Sequence, residues 1–237
     1  MIILNFFSDE IGNTIPWFGL THFLIIFGFI FSLVLIWWFA PKIKNSKYEK
    51  VFRFILVGLV ILFEWKVFES RMLKGSIFRL PLCALSLYGL TFAVAFGKEK
   101  AFKIIYFYAF GTFLTILFFD TLWGLDRWSG WTFFGAHASI GWLAVYGVAV
   151  LGYRPTKIDL YKSMTLLAVY AFISGYAFHK FGGSDELFLF HPPLAEAQSI
   201  IDTSLLLYQI IFCSLAAALM LLMYLPLYLS NRKKNNT

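Results

Sequence analysis

Seven long apolar runs, separated by short charged segments, are the feature that most limits what this chain can become. They lie at about residues 17–40, 52–65, 80–96, 104–119, 131–151, 163–178 and 200–229. A bilayer core of about 30 Å is crossed by about 20 residues of helix, so the runs predict an all-α polytopic membrane protein with seven transmembrane helices. The second and sixth runs are short and reach full length by tilt or by snorkelling flanks, and the seventh outruns the core. Composition agrees, because only 14% of the 237 residues are charged, against roughly 25% in an ordinary soluble domain. The first sixteen residues carry Asp9 and Glu10 rather than a basic patch, so the first run reads as a retained helix, not a cleaved leader. No repeat or low-complexity stretch divides the chain, and residues 1–237 read as a single transmembrane domain.

The formal net charge of +7 does not point to nucleic acid, because the basic residues form short clusters between apolar runs rather than one basic face. They sort by side. Lys42, Lys44, Lys47, Lys50, Arg53, Lys98, Lys100, Lys103, Arg154, Lys157, Lys162, Arg232, Lys233 and Lys234 fall in alternate loops, 14 of the 20 basic residues, while ten of the 13 acids fall on the opposite side. By the positive-inside rule the N-terminus is expected outside and the C-terminus in the cytoplasm, as in a multi-pass protein of the plasma membrane. Trp17, Trp37, Trp38, Trp128 and Trp131 stand at the run ends, where interfacial anchors belong.

Ionisable residues near membrane helices are costly, which makes each a candidate for function. On this topology His22, Glu64, Arg79, Cys83, Asp120, His137, His179 and Asp202 all lie toward the outer face, while the inner halves of the runs hold apolar residues and a few hydroxyls such as Ser32 and Thr91. One polar and one dry layer suggest an outward-open cavity. The bland reading is that helix-end charges such as Asp120, His179 and Asp202 only meet water and headgroups. His137 lies deeper, flanked by Gly135, Ala136, Ala138 and Ser139; it is either a packed histidine bonded to a neighbouring helix or a general acid or base. Glu64 either pairs with Arg79 or Lys66 or orients a histidine. Cys83, near an outward helix N-terminus and four residues from Arg79, is either a nucleophile or a small apolar filler. Cys213 reads as packing, and the four histidines show no paired metal-ligand spacing. No metal and no cofactor are expected. Residues 182–193 form the longest outer loop, a lid or an interfacial turn.

Phe18-Gly19-Leu20-Thr21-His22, Glu64, Leu80-Pro81-Leu82, Gly135-Ala136-His137, Gly152-Tyr153-Arg154-Pro155 and the loop from Gly183 to Pro193 stand in an order that resembles the YwaF-like family of bacterial seven-helix membrane proteins. That family is distantly similar to an animal ether-phospholipid acyltransferase and to fatty-acid-ester hydrolases. The resemblance implies a lipid acyltransferase or acyl-ester hydrolase whose membrane histidine is His137. The chain departs from the family at Cys83, where members usually carry histidine, at Leu85, where they carry cysteine, and in the last outer loop, where Ser184-Asp185-Glu186 replaces an Asn-Tyr segment.

The leading expectation is therefore an outward-facing enzyme acting on membrane lipids, with His137, Glu64 and Cys83 catalytic and with His22, Arg79, Asp120 and His179 around the substrate. An ester carbonyl at the headgroup boundary, above a buried chain, suits a site polar above and apolar below. The alternatives are a small-ligand transporter or receptor-like protein, or a membrane scaffold. A transporter needs polar or broken helices near the midplane, and Gly58 and Gly111 offer little of that.

Overall fold

A backbone in lipid must satisfy its N–H and C=O groups within its own segment, and the apolar runs do so as helices. The computed structural model describes residues 6–8, 12–73, 80–119, 121, 123–177, 185, 187–192 and 197–235, and no strand occurs among them. The helices are α1 (Leu20–Lys44), α2 (Glu49–Leu73), α3 (Leu82–Ala95), α4 (Glu99–Leu117, tightened to a 3-10 turn over Tyr106–Ala109), α5 (Trp128–Ala149), α6 (Lys157–Tyr170, running on as a π-helix over Ala171–Ala177), α7 (Gln198–Thr203) and α8 (Leu205–Asn235). Three of them, α1, α4 and the Leu205–Ser230 part of α8, are long and apolar enough to cross a membrane, and α3 is a shorter apolar helix.

Several boundaries differ from the apolar runs because charged residues continue the helices. α2 starts at Glu49 and ends at Leu73 instead of spanning 52–65. α6 starts at Lys157, where Thr156 and Asp159 form a reciprocal capping box, a signal stronger than the hydropathy that placed its start at residue 163. The last run, expected unbroken from residue 200, is interrupted at Ser204, whose backbone is extended.

The helices alternate in direction, so α1, α3 and α5 begin and α2 and α4 end at one face, here the upper face. There Trp17 Nε1 donates to the Phe119 carbonyl at 3.0 Å and Tyr170 Oη donates to the Leu80 carbonyl. At the lower face Tyr146 Oη donates to the Glu49 carboxylate at 2.9 Å, and Arg53 holds the same carboxylate at 2.7 and 2.9 Å. This cluster joins α2 and α5 and lies where the sequence suggested only loop charges. Glu49 is on α2, one turn before Arg53, because the helix begins ahead of its apolar run.

α5 is the centre of the bundle and packs against α1, α2, α3 and α4. Glycines along it leave room for rings that its neighbours supply. Gly135 faces the Phe63 ring of α2, Gly141 the Phe29 ring of α1 and Gly147 the Phe102 ring of α4. A step of six residues turns a helix by about 240°, so these glycines point in three directions and each accepts one ring. A Cβ on Gly147 would lie 2.1 Å from the Phe102 ring, which is fully buried. Gly147→Leu is expected to destabilise the protein by about 3 kcal/mol or more through overpacking, read as a lower melting temperature in detergent. Gly58→Leu, which meets open space, is the control. α1 instead exposes Leu20, Phe23, Leu24, Phe27, Ile30, Trp37 and Trp38, as a lipid-facing helix does. Cys213 also lies on an exposed surface, of α8, rather than in packing.

A candidate active site in the upper half of the bundle

Extending α2 to Leu73 changes the depth of Glu64. It stands nine residues from the upper end of its helix, about 14 Å down, rather than at the helix end where the apolar run placed it. His137 is also nine residues into α5 from Trp128. Because Phe63 packs on Gly135, the two residues lie at matching levels of adjacent helices, and they interact electrostatically.

Glu64 is buried, and its partners among the described residues include Tyr88 and Arg71. Tyr88 Oη of α3 donates to Glu64 Oε1 at 2.6 Å, and Arg71 Nη1 donates to Tyr88 Oη at 3.0 Å while standing 3.7 Å from Glu64 Oε1. The Arg71 guanidinium also lies over the Tyr88 ring, 6.0 Å from its centroid. Arg71 follows Glu64 by seven residues, two helical turns, and so shares its face. That spacing was readable in the sequence once α2 was known to continue past Trp65. The burial cost of a carboxylate is offset here by a cation and a hydroxyl held on two packed helices.

His137 Nδ1 donates to the Phe133 carbonyl at 2.8 Å, which leaves Nε2 as the basic nitrogen. Among the described residues no hydrogen bond reaches Nε2. Phe133 lies beside the imidazole at 4.7 Å between centroids, and Thr112 Oγ1 donates to the His137 carbonyl at 3.1 Å. Cys83 is the second residue of α3, half-buried, near the helix N-terminus and within electrostatic reach of Arg71 and Glu64.

His22 has a different setting. It is fully buried, its Nδ1 accepts from the Phe18 N–H at 2.8 Å and its Nε2 donates to the Ile116 carbonyl at 2.9 Å. Its ring meets Phe119 edge-on at 4.9 Å. With Trp17, it satisfies carbonyls that α4 leaves unbonded at its C-terminal end. Both nitrogens are committed to backbone, so the ring ties α1 to α4. His22→Phe is expected to lower stability by about 1–3 kcal/mol through two stranded backbone groups. A melting curve of the detergent-solubilised variant would check it.

Arg79, Asp120 and His179 lie outside the described residues, as do Gly183, Ser184, Glu186 and Pro193 of the last loop. Its described part folds back onto the bundle. The Asp185 carboxylate accepts from the N–H groups of Leu189, Phe190 and His191 at 2.7–2.8 Å, Tyr208 Oη donates to the Phe188 carbonyl at 2.6 Å, and Leu189 fills the notch at Gly175. Asp202 is exposed and accepts from Gln198 on its own helix. Among the described residues no group of three or more His, Cys, Asp or Glu side chains is placed to hold a metal ion.

Apolar helices around a buried polar cluster define a multi-pass helical membrane protein. The chain belongs to the TMEM164 family of membrane proteins, whose family model matches residues 17–226. No curated protein and no solved structure matches it.

Proposed function

We propose that the protein is a membrane-embedded enzyme acting on lipid acyl esters, as acyltransferase or hydrolase, with a site in the upper half of the bundle. The observation that carries this reading is His137. Its tautomer is set by the Phe133 carbonyl, its Nε2 is unbonded among the described residues, and a buried carboxylate lies at the same level of the neighbouring helix. The Phe133 carbonyl orients the imidazole, and Glu64 on the neighbouring helix balances the positive charge that it gains. Nε2 takes the proton from the attacking group, the Cys83 thiol or a water molecule, as that group bonds to the ester carbonyl carbon, and the proton then passes to the departing alkoxide. The resemblance to lipid acyltransferases and hydrolases supports the same chemistry. His22 supports the fold, whereas Arg79, Asp120 and His179 are proposed to surround the substrate headgroup.

In this reading the seven apolar runs all cross the plasma membrane as one domain. The N-terminus lies outside because 14 of the 20 basic residues are on the lower side. Intact-lipid mass spectrometry of cells with and without the protein tests the activity; unchanged acyl composition in every lipid class would overturn it. A second reading, a non-catalytic binding protein, draws on the closed Glu64, Tyr88 and Arg71 arrangement, in which the carboxylate is already satisfied. It expects a ligand-dependent rise in melting temperature without lipid turnover.

A further inference from the structure

Residues 187–190 lie as a strap across the upper ends of α6 and α8. Leu189 is buried and its side chain fills the notch at Gly175, where a Cβ on the glycine would lie 2.2 Å from it. Each of the two carbonyls beside that side chain meets a donor from α8: Tyr208 Oη donates to the Phe188 oxygen at 2.6 Å, and Gln209 Nε2 donates to the Leu189 oxygen at 3.1 Å. Gln209 is itself held by Tyr176 Oη, which donates to its Oε1 at 2.8 Å. The notch lies in the π-helical part of α6, Ala171–Ala177, and such turns are rare and often mark functional positions. An apolar hole flanked by a hydroxyl and an amide donor is complementary to an ester carbonyl with its acyl chain. The notch also stands close to the upper site, because Tyr170, five residues before Gly175, donates to the carbonyl of Leu80, three residues before Cys83.

The strap is folded on itself and strained. The Asp185 carboxylate, 5% exposed, accepts from the N–H groups of Leu189, Phe190 and His191, so the turn supplies partners for its own backbone. Phe188 has a φ of 56°, in the left-handed region, which is costly for a residue with a Cβ and recurs at clamps and switches. Its ring is 44% exposed, so burial does little to offset the strain. The Tyr208 bond to its carbonyl and the seating of Leu189 beside it hold the conformation.

We propose that the strap is an autoinhibitory plug: Leu189 and the two carbonyls occupy a subsite for the acyl chain and ester carbonyl of a lipid, and the strap lifts to admit them. The choice of ligand rests on the acyl-ester reading, but its binding is measured without turnover. The test is photolabelling of the detergent-solubilised full chain with palmitic acid methyl ester carrying a diazirine, beside a diazirine-bearing hydrocarbon of the same length. Peptide mass spectrometry locates the labelled residues. Leu189→Ala unseats the strap and is expected to raise ester labelling within residues 171–177 and 205–209 about tenfold. Phe188→Gly relaxes the left-handed residue and favours the seated strap, so it is expected to lower that labelling about fivefold while the melting temperature holds or rises. The hydrocarbon is expected to label these residues more weakly than the ester throughout. Labelling that neither variant changes, that both shift in one direction, that is equal for ester and hydrocarbon, or that falls outside these residues would overturn the plug. If labelling follows both variants while the wild-type protein turns over no lipid ester, the plug stands and the acyl-transfer reading falls.

Discussion

His137→Ala is expected to lower acyl-ester turnover by about 10²- to 10⁴-fold, the usual contribution of a positioned general base. Fold should survive the change, because the imidazole makes one hydrogen bond, to a carbonyl of its own helix, and such bonds in membrane proteins contribute only about 0.6 kcal/mol on average. His137→Gln offers a donor for the same carbonyl but no titratable nitrogen, so it should be as inactive as the alanine variant. Turnover of purified protein in liposomes, normalised to folded protein, separates loss of chemistry from loss of fold. Wild-type rates in both variants would remove His137 from the mechanism. A wild-type protein without turnover would leave the non-catalytic reading, and then neither variant should alter lipid composition in cells.

The second large effect is expected at Glu64. In Glu64→Leu the Arg71 guanidinium keeps its place but loses the buried carboxylate 3.7 Å away, and Tyr88 loses its acceptor. Removing one partner of a fully buried ion pair costs about 3–5 kcal/mol, and with the Arg71 side chain 19% exposed the cost here is expected below that range, at about 2 kcal/mol. Tyr88→Phe removes only a hydroxyl, and the membrane average for such a bond puts its cost at about 1 kcal/mol or less. The charge, not the hydrogen bond, decides the outcome. It follows that Glu64→Leu combined with Arg71→Met should be more stable than Glu64→Leu alone, a departure from additivity expected of residues in contact. Unfolding of the detergent-solubilised variants measures this. If the double variant is the sum of the singles, Glu64 and Arg71 are not a pair.

Which polar residues meet was only partly legible. Glu64, Cys83 and His137 were visible as ionisable groups in apolar surroundings, and all three fall in the upper half of the bundle. Arg71 and Tyr88 were not, because the apolar run ended at Trp65 and assigned Arg71 to a loop, and because a tyrosine inside an apolar helix gives no signal of its own. The sequence placed His137 deeper than His22 and set His22 around the substrate, without showing what either ring meets. The difference is in what surrounds the rings: His22 has two backbone groups from separate segments at its two nitrogens, and His137 has one from its own helix. Likewise the three glycines of α5 could be read as small residues for close packing, but not assigned to Phe63, Phe29 and Phe102.

By itself the sequence determined the solvent and the secondary structure. Lipid leaves backbone polar groups no partner but the helix, so apolar runs of this length become helices, and what stayed open was their charged ends and local breaks such as the one at Ser204. Tertiary structure decided which residues became a site. Packing α2 and α3 side by side joins Glu64, Arg71 and Tyr88, and packing α2 on α5 through Phe63 and Gly135 sets His137 at the same level. The physical reason is one of range. Hydropathy acts on each segment against its solvent, whereas the depth and rotation of one helix against another follow from ring-sized contacts among residues far apart in the chain.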